Sequence, residues 1–213
     1  MKSNEVMKNK PIIIIGAGGH AKVVASVLKL SGRTILGFVA PDLKKGSDLF
    51  GKKILGDDEE VNRYKSDEIE LANGIGSISG KDERWKLIDK IRKQGYKFST
   101  IIHPNSLISS DVYLDEGVQI MAGVIIQPGA KIGRNCIINT GAIIDHDCKI
   151  SENCQIAPGV ILNGGVTVGK NTHIGTGSSV IESISIGSNS LIAAGSVIYK
   201  DVPDNTTLIQ VRR

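Results

Sequence analysis

A chain of 213 residues, 40% hydrophobic and 23% charged, has room for two modest domains, each with its own core. Its net charge of +4 comes without any Lys/Arg cluster interleaved with aromatics, which argues against a nucleic-acid partner and suits a small anionic ligand. Three cysteines are an odd count that argues against a disulfide framework, and no apolar run approaches the length needed to span a membrane.

Residues 1–10, MKSNEVMKNK, are polar and lack the apolar core of a signal peptide, so a disordered tail and a cytoplasmic protein are expected. Pro11–Ile15 is an apolar, β-branched run and reads as a first strand. It leads into Gly16-Ala17-Gly18-Gly19-His20-Ala21 and an amphipathic stretch, Ala21–Leu30, which Gly32 should end. Arg33–Val39 reads as a second strand, completing a βαβ unit. The GxGxxA spacing fits a strand-to-helix turn whose amides hold a phosphate, and equally a tight βα turn without ligand. Ala40 and Pro41 stand where a dinucleotide-binding unit carries its ribose acid, and Asp42 comes late, which disfavours a nicotinamide dinucleotide.

Lys53–Leu55 is expected to be extended, Asp57–Tyr64 a short helix, and Ile69–Ile78 a third strand. Gly76 and Ser77 would then fall at the ligand crevice of a parallel sheet or in an ordinary loop. Lys81–Gln94 reads as a helix with Trp85, Ile88 and Ile91 on one side and Gly95 closing it, and Phe98–Ile102 as a fourth strand. Residues 11–102 thus make a small Rossmann-like α/β domain.

From Ile102 to Ile198 every sixth residue is Ile, Leu or Val, without a slip. Two residues before each lies a small or β-branched residue, such as Val118, Ala130, Cys136, Cys148, Cys154 and Thr172. Three residues after each lies Gly, Asn or Asp, with Ser183 the one break. Positions two apart on a strand share a face, so the first two columns fill one core. The third holds residue types that tolerate positive φ, as a sharp corner requires. Strand and corner every six residues describe a parallel β-helix of hexapeptide repeats, three to a coil, over residues 103–213. The repeat stops beyond Ile198, and Tyr199–Arg213 should cap the last coil.

Residues eighteen apart should stack, which places Gly164 one coil above His146 and Pro128 one coil below. His146 sits at a corner between Asp145 and Asp147, where a carboxylate can raise imidazole basicity and hold its tautomer as a general base requires. The same residues also fit an exposed corner histidine beside an acid kept for its backbone conformation. Cys136, Cys148 and Cys154 fall in the small inward column and read as core filler. His146 and His173 lack ligand-like spacing, so no metal is expected.

GAGGHAKVV opening the βαβ unit, HPNS at residues 103–106, and hexads containing NTGAIIDHDCKI and IAPGVILNGGVTVG resemble the sialic-acid O-acetyltransferase (NeuD) and PglD/PerB-type sugar acetyltransferases over residues 11–203. The resemblance implies a left-handed β-helix, a homotrimer, and acetyl-CoA bound between neighbouring prisms. It further implies that the N-terminal domain holds the acceptor, often a UDP-linked 4-amino sugar destined for a surface glycan. The family's catalytic histidine falls on His146 and its acid on Asp147; acceptor contacts fall on Gly18, Gly19, His20, Asp42 and Gly76. Coenzyme contacts fall on Gly164, Thr176 and Ala194, with Gln155 where the family often has a second histidine. The ending LIQVRR departs from the family's usual GVPA-type tail. N-acetylation of a nucleotide-linked amino sugar is therefore the expected activity. Sugar O-acetylation, a non-catalytic nucleotide-sugar-binding β-helix and a metal-dependent hydratase are its rivals.

Overall fold

The computed structural model describes residues 10–76 and 83–209, and the chain divides into two compact units, up to Ile101 and from Ile102 onward. In the first unit, β1 (Ile12–Ile15) leads through the glycine turn to α1 (Gly19–Leu30), and then come β2 (Ile35–Val39), β3 (Asp48–Leu49) and β4 (Lys52–Gly56). A 3-10 helix, Asp58–Arg63, β5 (Glu70–Asn73) and α2 (Glu83–Lys93) follow. The sheet order is β3-β4-β2-β1-β5, parallel except for the β3–β4 hairpin. β1 is central and completely buried, as four consecutive isoleucines demand. Gly32 (φ 67) ends α1, with Arg33 N–H donating to the Leu28 carbonyl (2.9 Å) and Gly32 N–H to the Lys29 carbonyl (3.2 Å), the double bond of a Schellman ending.

Several boundaries differ from the sequence reading. The hairpin partner β3 is new, because its two residues carry no alternation to detect. The third strand is Glu70–Asn73 and stops where Asn73 Oδ1 accepts from Ile75 N–H (3.0 Å), a side-chain turn that ends the ladder. The fourth strand reduces to a bridge between Leu71 and Phe98. Ser77 and the starts of both the chain and the helix at Lys81 lie outside the described residues.

The second unit is a left-handed parallel β-helix of two-residue strands on three faces, of six, five and seven strands. Partners are eighteen residues apart, as in Ile125↔Ile143 and Ile143↔Ile161, so the expected stacking holds. The inward aliphatics from Ile120 to Ile198 form one core. The small column also makes one recurring bond. Cys136, Cys148 and Cys154 Sγ donate to the carbonyls of Ser151 (2.9 Å), Asn163 (3.2 Å) and Gly169 (3.0 Å) in the coil above. Thr172 and Ser178 hydroxyls make the same bond to Gly187 (2.7 Å) and Ala193 (3.0 Å). The cysteines are thus filler with a satisfied thiol, and burial pushes the Cys148 thiol up to about 11.

The corner column has positive φ at Asn, Gly and Asp alike, and Ser183 joins it at φ 61. Asn105 and Asp111 in the opening coil do not. Past Ile198 the repeat continues rather than stopping, but two residues short. Val202 bridges Ile186, and Thr207–Leu208 pairs with Leu191–Ile192, sixteen residues back instead of eighteen. Asp201 and Asp204 carboxylates accept from Ser185 and Ser188 N–H (2.8 and 2.6 Å), which holds the shortened turn.

The three corner edges differ in chemistry although their backbones match. Between the five- and seven-stranded faces the turn residue is Asn135, Asn153, Asn171, Asn189 and Asn205, and each side-chain amide donates to the next at 3.0–3.3 Å. This ladder staples one edge of the prism. Asn171→Ala should lower stability by about 2–4 kcal/mol, from two lost amide bonds and positive φ at a residue with a Cβ. Asn171→Gly, which keeps the φ, should cost about half as much. An Asn171→Gly variant as stable as the wild type in urea unfolding would show that the ladder contributes nothing.

Candidate functional site

His146 belongs to the corner between the six- and five-stranded faces. Its side chain is exposed, and its Nδ1 lies 2.9 Å from Asp147 Oδ2. Asp145 Oδ1 accepts from the His146 backbone N–H (2.7 Å), which ties down the residue's entry to the corner. With Asp147 accepting from Nδ1–H, the neutral ring presents its lone pair at Nε2. The hydrogen bond to Asp147, and next the charge of Asp145, raise the imidazole above its ordinary value against a small opposing effect of desolvation.

Two glycines make room for this pair. A Cβ on Gly164 would lie 2.5 Å from His146 Nε2 and 2.6 Å from Cε1, so the ring rests where any other residue would put a side chain. A Cβ on Gly129, one coil below, would lie 2.5 Å from Asp147 Oδ1. Asp147 itself has φ 59, so it serves the turn as well as the imidazole. The corner needs positive φ but not a carboxylate, since Gly129, Gly165 and Ser183 occupy the same column. Gly129 carried no signal in the sequence beyond its place in the repeat.

Thr176 and Ala194 are exposed and share the other edge of the six-stranded face, where Gly195 N–H donates to the Thr176 carbonyl (2.8 Å). On that edge the positive-φ turn residues are Gly123, Gly141, Gly159, Gly177 and Gly195, and a Cβ on any of the last four would meet nothing among the described residues within 4 Å. Asparagine performs the same turn on the ladder edge, so φ alone does not explain glycine here. Its effect is a column of bare backbone, beside Thr140, Pro158, Thr176 and Ala194, along which an extended ligand can reach backbone groups.

The six-stranded face between these edges is apolar outside as well as inside. Leu107, Ile125, Ile143 and Ile161 stack outward in register, and Val197 continues the row after one polar position, Ser179, with Leu107 69% and Val197 51% exposed. The five-stranded face carries Lys131, Lys149, Thr167 and Ser185 in the same positions. Gln155 does not join His146 within the chain. It stands on the seven-stranded face between Ile137 and His173, with its side-chain oxygen buried and without a hydrogen-bond partner. His103 Nδ1 accepts from Asn105 N–H (3.0 Å), a local turn bond.

In the first unit a cavity of about 530 Å³ opens at the carboxyl ends of β1, β2 and β5. Gly18 and Asp42 line it; Gly19, His20 and Gly76 are adjacent, with Gly76 packed near His20 Cβ. Gly16 is required by the fold, since its φ is 91 and a Cβ on it would lie 2.9 Å from the Ile75 side chain. Gly18 and Gly19 are not: neither has positive φ, and nothing among the described residues lies within 4 Å of a Cβ on either. Gly18 at the N-cap has no side chain to cap the start of α1. The cavity also takes in Asp58, for which the sequence offers only a place in the short helix Asp57–Tyr64. Burial, then neighbouring Asp57, pushes its carboxyl above the usual range. Among the described residues no cluster of three His, Cys, Asp or Glu could hold a metal ion. No helix among them is long and apolar enough to cross a membrane.

Residues 11–91 match the family described as the PglD N-terminal domain. Overlapping segments from 111–146 to 165–200 match the bacterial transferase hexapeptide family. Among solved structures, a histidine-to-asparagine mutant of perosamine N-acetyltransferase from Caulobacter crescentus, in complex with CoA and GDP-perosamine, is 36% identical. The match covers 94% of this chain and 93% of that one, with a TM-score of 0.87. The acetyltransferase domain of PglB from Neisseria gonorrhoeae, in complex with acetyl coenzyme A, is 29% identical over 93% of this chain and 95% of that one, with a TM-score of 0.85. WeeI from Acinetobacter baumannii shares the fold at 24% identity over 95% of this chain and 97% of that one, with a TM-score of 0.85.

Asp147→Asn keeps a residue that accepts positive φ while removing the charge beside the imidazole. The His146 titration midpoint, followed by NMR, should fall in this variant, and an unchanged midpoint would mean that Asp147 does not set the basicity of the ring.

Proposed function

From its membership of the hexapeptide-repeat sugar acetyltransferases that carry a PglD-type N-terminal domain, we propose that this chain N-acetylates a nucleotide-linked 4-amino sugar from acetyl-CoA, with His146 as general base. It is an acyltransferase. The observation that carries the proposal is the imidazole fixed at Nδ1 by Asp147, with Nε2 held over Gly164 at an exposed corner. N-acetylation is preferred to O-acetylation because GDP-perosamine accompanies CoA in the N-acetyltransferase neighbour. The UDP carrier expected from the sequence and a GDP carrier both enter the test.

His146 Nε2 takes a proton from the attacking amine as its nitrogen bonds to the acetyl carbonyl carbon. The C–S bond then breaks, and His146 returns the proton to the departing sulfur, leaving an amide and the free thiol. Asp147 holds the tautomer and stabilises the imidazolium between the two transfers. Acetyl-CoA supplies the activated acyl group. Its extended arm suits the column of bare backbone at Gly159, Gly177 and Gly195, with Thr176 and Ala194 beside it and Gly164 across the face. In the first unit the uncapped start of α1, with Gly18, Gly19 and His20, would hold the acceptor's phosphates, while Asp42 and Gly76 flank them.

A homotrimer follows from the same reading. The outward Ile125, Ile143 and Ile161 stripe lies between the two edges that carry the candidate residues, so a second copy seated on it would complete each site. This assembly also gives Gln155 a way to serve a neighbour's coenzyme without meeting its own His146.

His146→Ala should retain the fold and reduce acetyl transfer by about 10²–10⁴-fold. The assay is thiol release, with a mass gain of one acetyl group, when acetyl-CoA is given with UDP- or GDP-linked 4-amino sugars, free sialic acid or simple amines. Full activity of the variant, or acetylation of hydroxyl acceptors only, would contradict the reading. Ile143→Lys combined with Ile161→Lys should yield monomers in light scattering, whereas an unchanged particle mass would exclude this face as the interface.

A further inference from the structure

The first unit has a second cavity, of about 510 Å³, formed by α1, the start of β2 and the β3–β4 hairpin. Its electrostatics are the reverse of those at the glycine loop, where Asp42 and Asp58 line the wall. Lys22, Lys29, Arg33 and Lys52 line this second cavity, and among the described residues no carboxylate does. Lys22 and Lys29 are seven residues apart on α1, two turns along one face, and Lys52 approaches from β4. Among the described residues none of the three lysines has an ion-pair partner. Arg33 is held by Glu70 (2.7 Å) and Ser99 (3.3 Å), which compensates its charge, yet its Nε is buried without a hydrogen-bond partner. The cavity is therefore built with an excess of cations.

Phe38, fully buried, forms the apolar floor, and Phe50 stands at the rim, 47% exposed, with Lys22 Nζ 5.2 Å from its ring centroid. Phe50 is the least expected residue of the unit. With Gly51 it makes the two-residue turn of the hairpin, both at positive φ (55 and 73). Such turns favour Asn, Asp or Gly in the first place, where a bulky side chain is strained. Neither the fold nor core packing calls for an aromatic residue there. Strain of this kind concentrates at ligand sites.

We propose that this cavity is a second ligand site, separate from the acceptor crevice, and that it binds a nucleoside monophosphate. The planar base packs against Phe50 over the Phe38 floor, and the phosphate takes the field of Lys29 and Lys52. The volume lies within the range of small-molecule sites. A flat apolar body with a compact anion at one end matches the aromatic rim and the cationic wall. Inorganic phosphate alone would use only half of the site. Binding here is independent of His146 and of the acetyl acceptor.

Calorimetric titration of the full chain with AMP, GMP, UMP and inorganic phosphate tests it. At least one nucleotide should bind, and more tightly than phosphate. Its affinity should fall by about tenfold or more in the Lys29→Glu/Lys52→Glu variant, since each lost charge-assisted contact approaches a factor of ten. Phe50→Asn should weaken it several-fold while leaving the thermal midpoint equal or higher, because Asn suits the turn. Three results would overturn the proposal: no nucleotide binding, equal affinity for inorganic phosphate, or indifference to the Lys29/Lys52 and Phe50 changes.

Discussion

The second unit depends on one constraint, the parallel backbone pairing of each two-residue strand with the strand eighteen residues on. That ladder allows the aliphatics of successive coils to stack inward and leaves no freedom in what lies above or below a given corner residue. His146 meets Gly164 because 146 and 164 differ by one coil, and Asp147 meets Gly129 for the same reason. A site on a solenoid corner is therefore held by backbone register, which is stiffer than the packing of a surface loop. The imidazole can be exposed to solvent and still have a defined orientation, since Asp147 fixes one ring nitrogen and the Gly164 backbone lies against the other side.

The same backbone turn recurs on three edges with three chemistries. Asparagine makes a cross-coil amide ladder on one edge, glycine leaves a second bare, and a mixture including Asp147 occupies the third. Because the turn accepts Asn, Gly, Asp or Ser at nearly the same φ, the residue chosen on each edge reflects what that edge does beyond turning. The ladder edge reads as structural, and the other two flank the apolar outer stripe of Ile125, Ile143 and Ile161. Glycines in the first unit divide the same way. Gly16 answers to its φ and to Ile75, while Gly18 and Gly19 answer to nothing among the described residues, which is what a phosphate site at a helix start would leave.

The prism was legible almost residue by residue, because an unbroken six-residue period leaves one way to place the inward side chains. The period also assigned Cys136, Cys148 and Cys154 to the core, where each thiol meets a carbonyl. It failed at its ends. Asn105 and Asp111 match the corner pattern without adopting its φ, and the coil beyond Ile198 hides behind a two-residue deletion that side-chain bonds from Asp201 and Asp204 accommodate. In the α/β unit the long periodic elements were readable and the short ones were not. Asp48–Leu49 is too brief for alternation, and the third strand yields to an Asn73 side-chain turn. His146 and Asp147 were legible as neighbours in sequence. Asp58 was not recognisable as a cavity residue, since its place depends on how the 3-10 helix folds back on β2 and β4.

The central claim is that the corner geometry makes His146 the base and that Asp147 sets its basicity. The pH dependence of kcat/KM for acetyl transfer tests it most directly, compared between the wild-type chain and Asp147→Asn. The account predicts an acidic limb that reports a single group above the ordinary histidine value and moves to lower pH in the variant, with a lower plateau. An acidic limb in the same place for both proteins would contradict it.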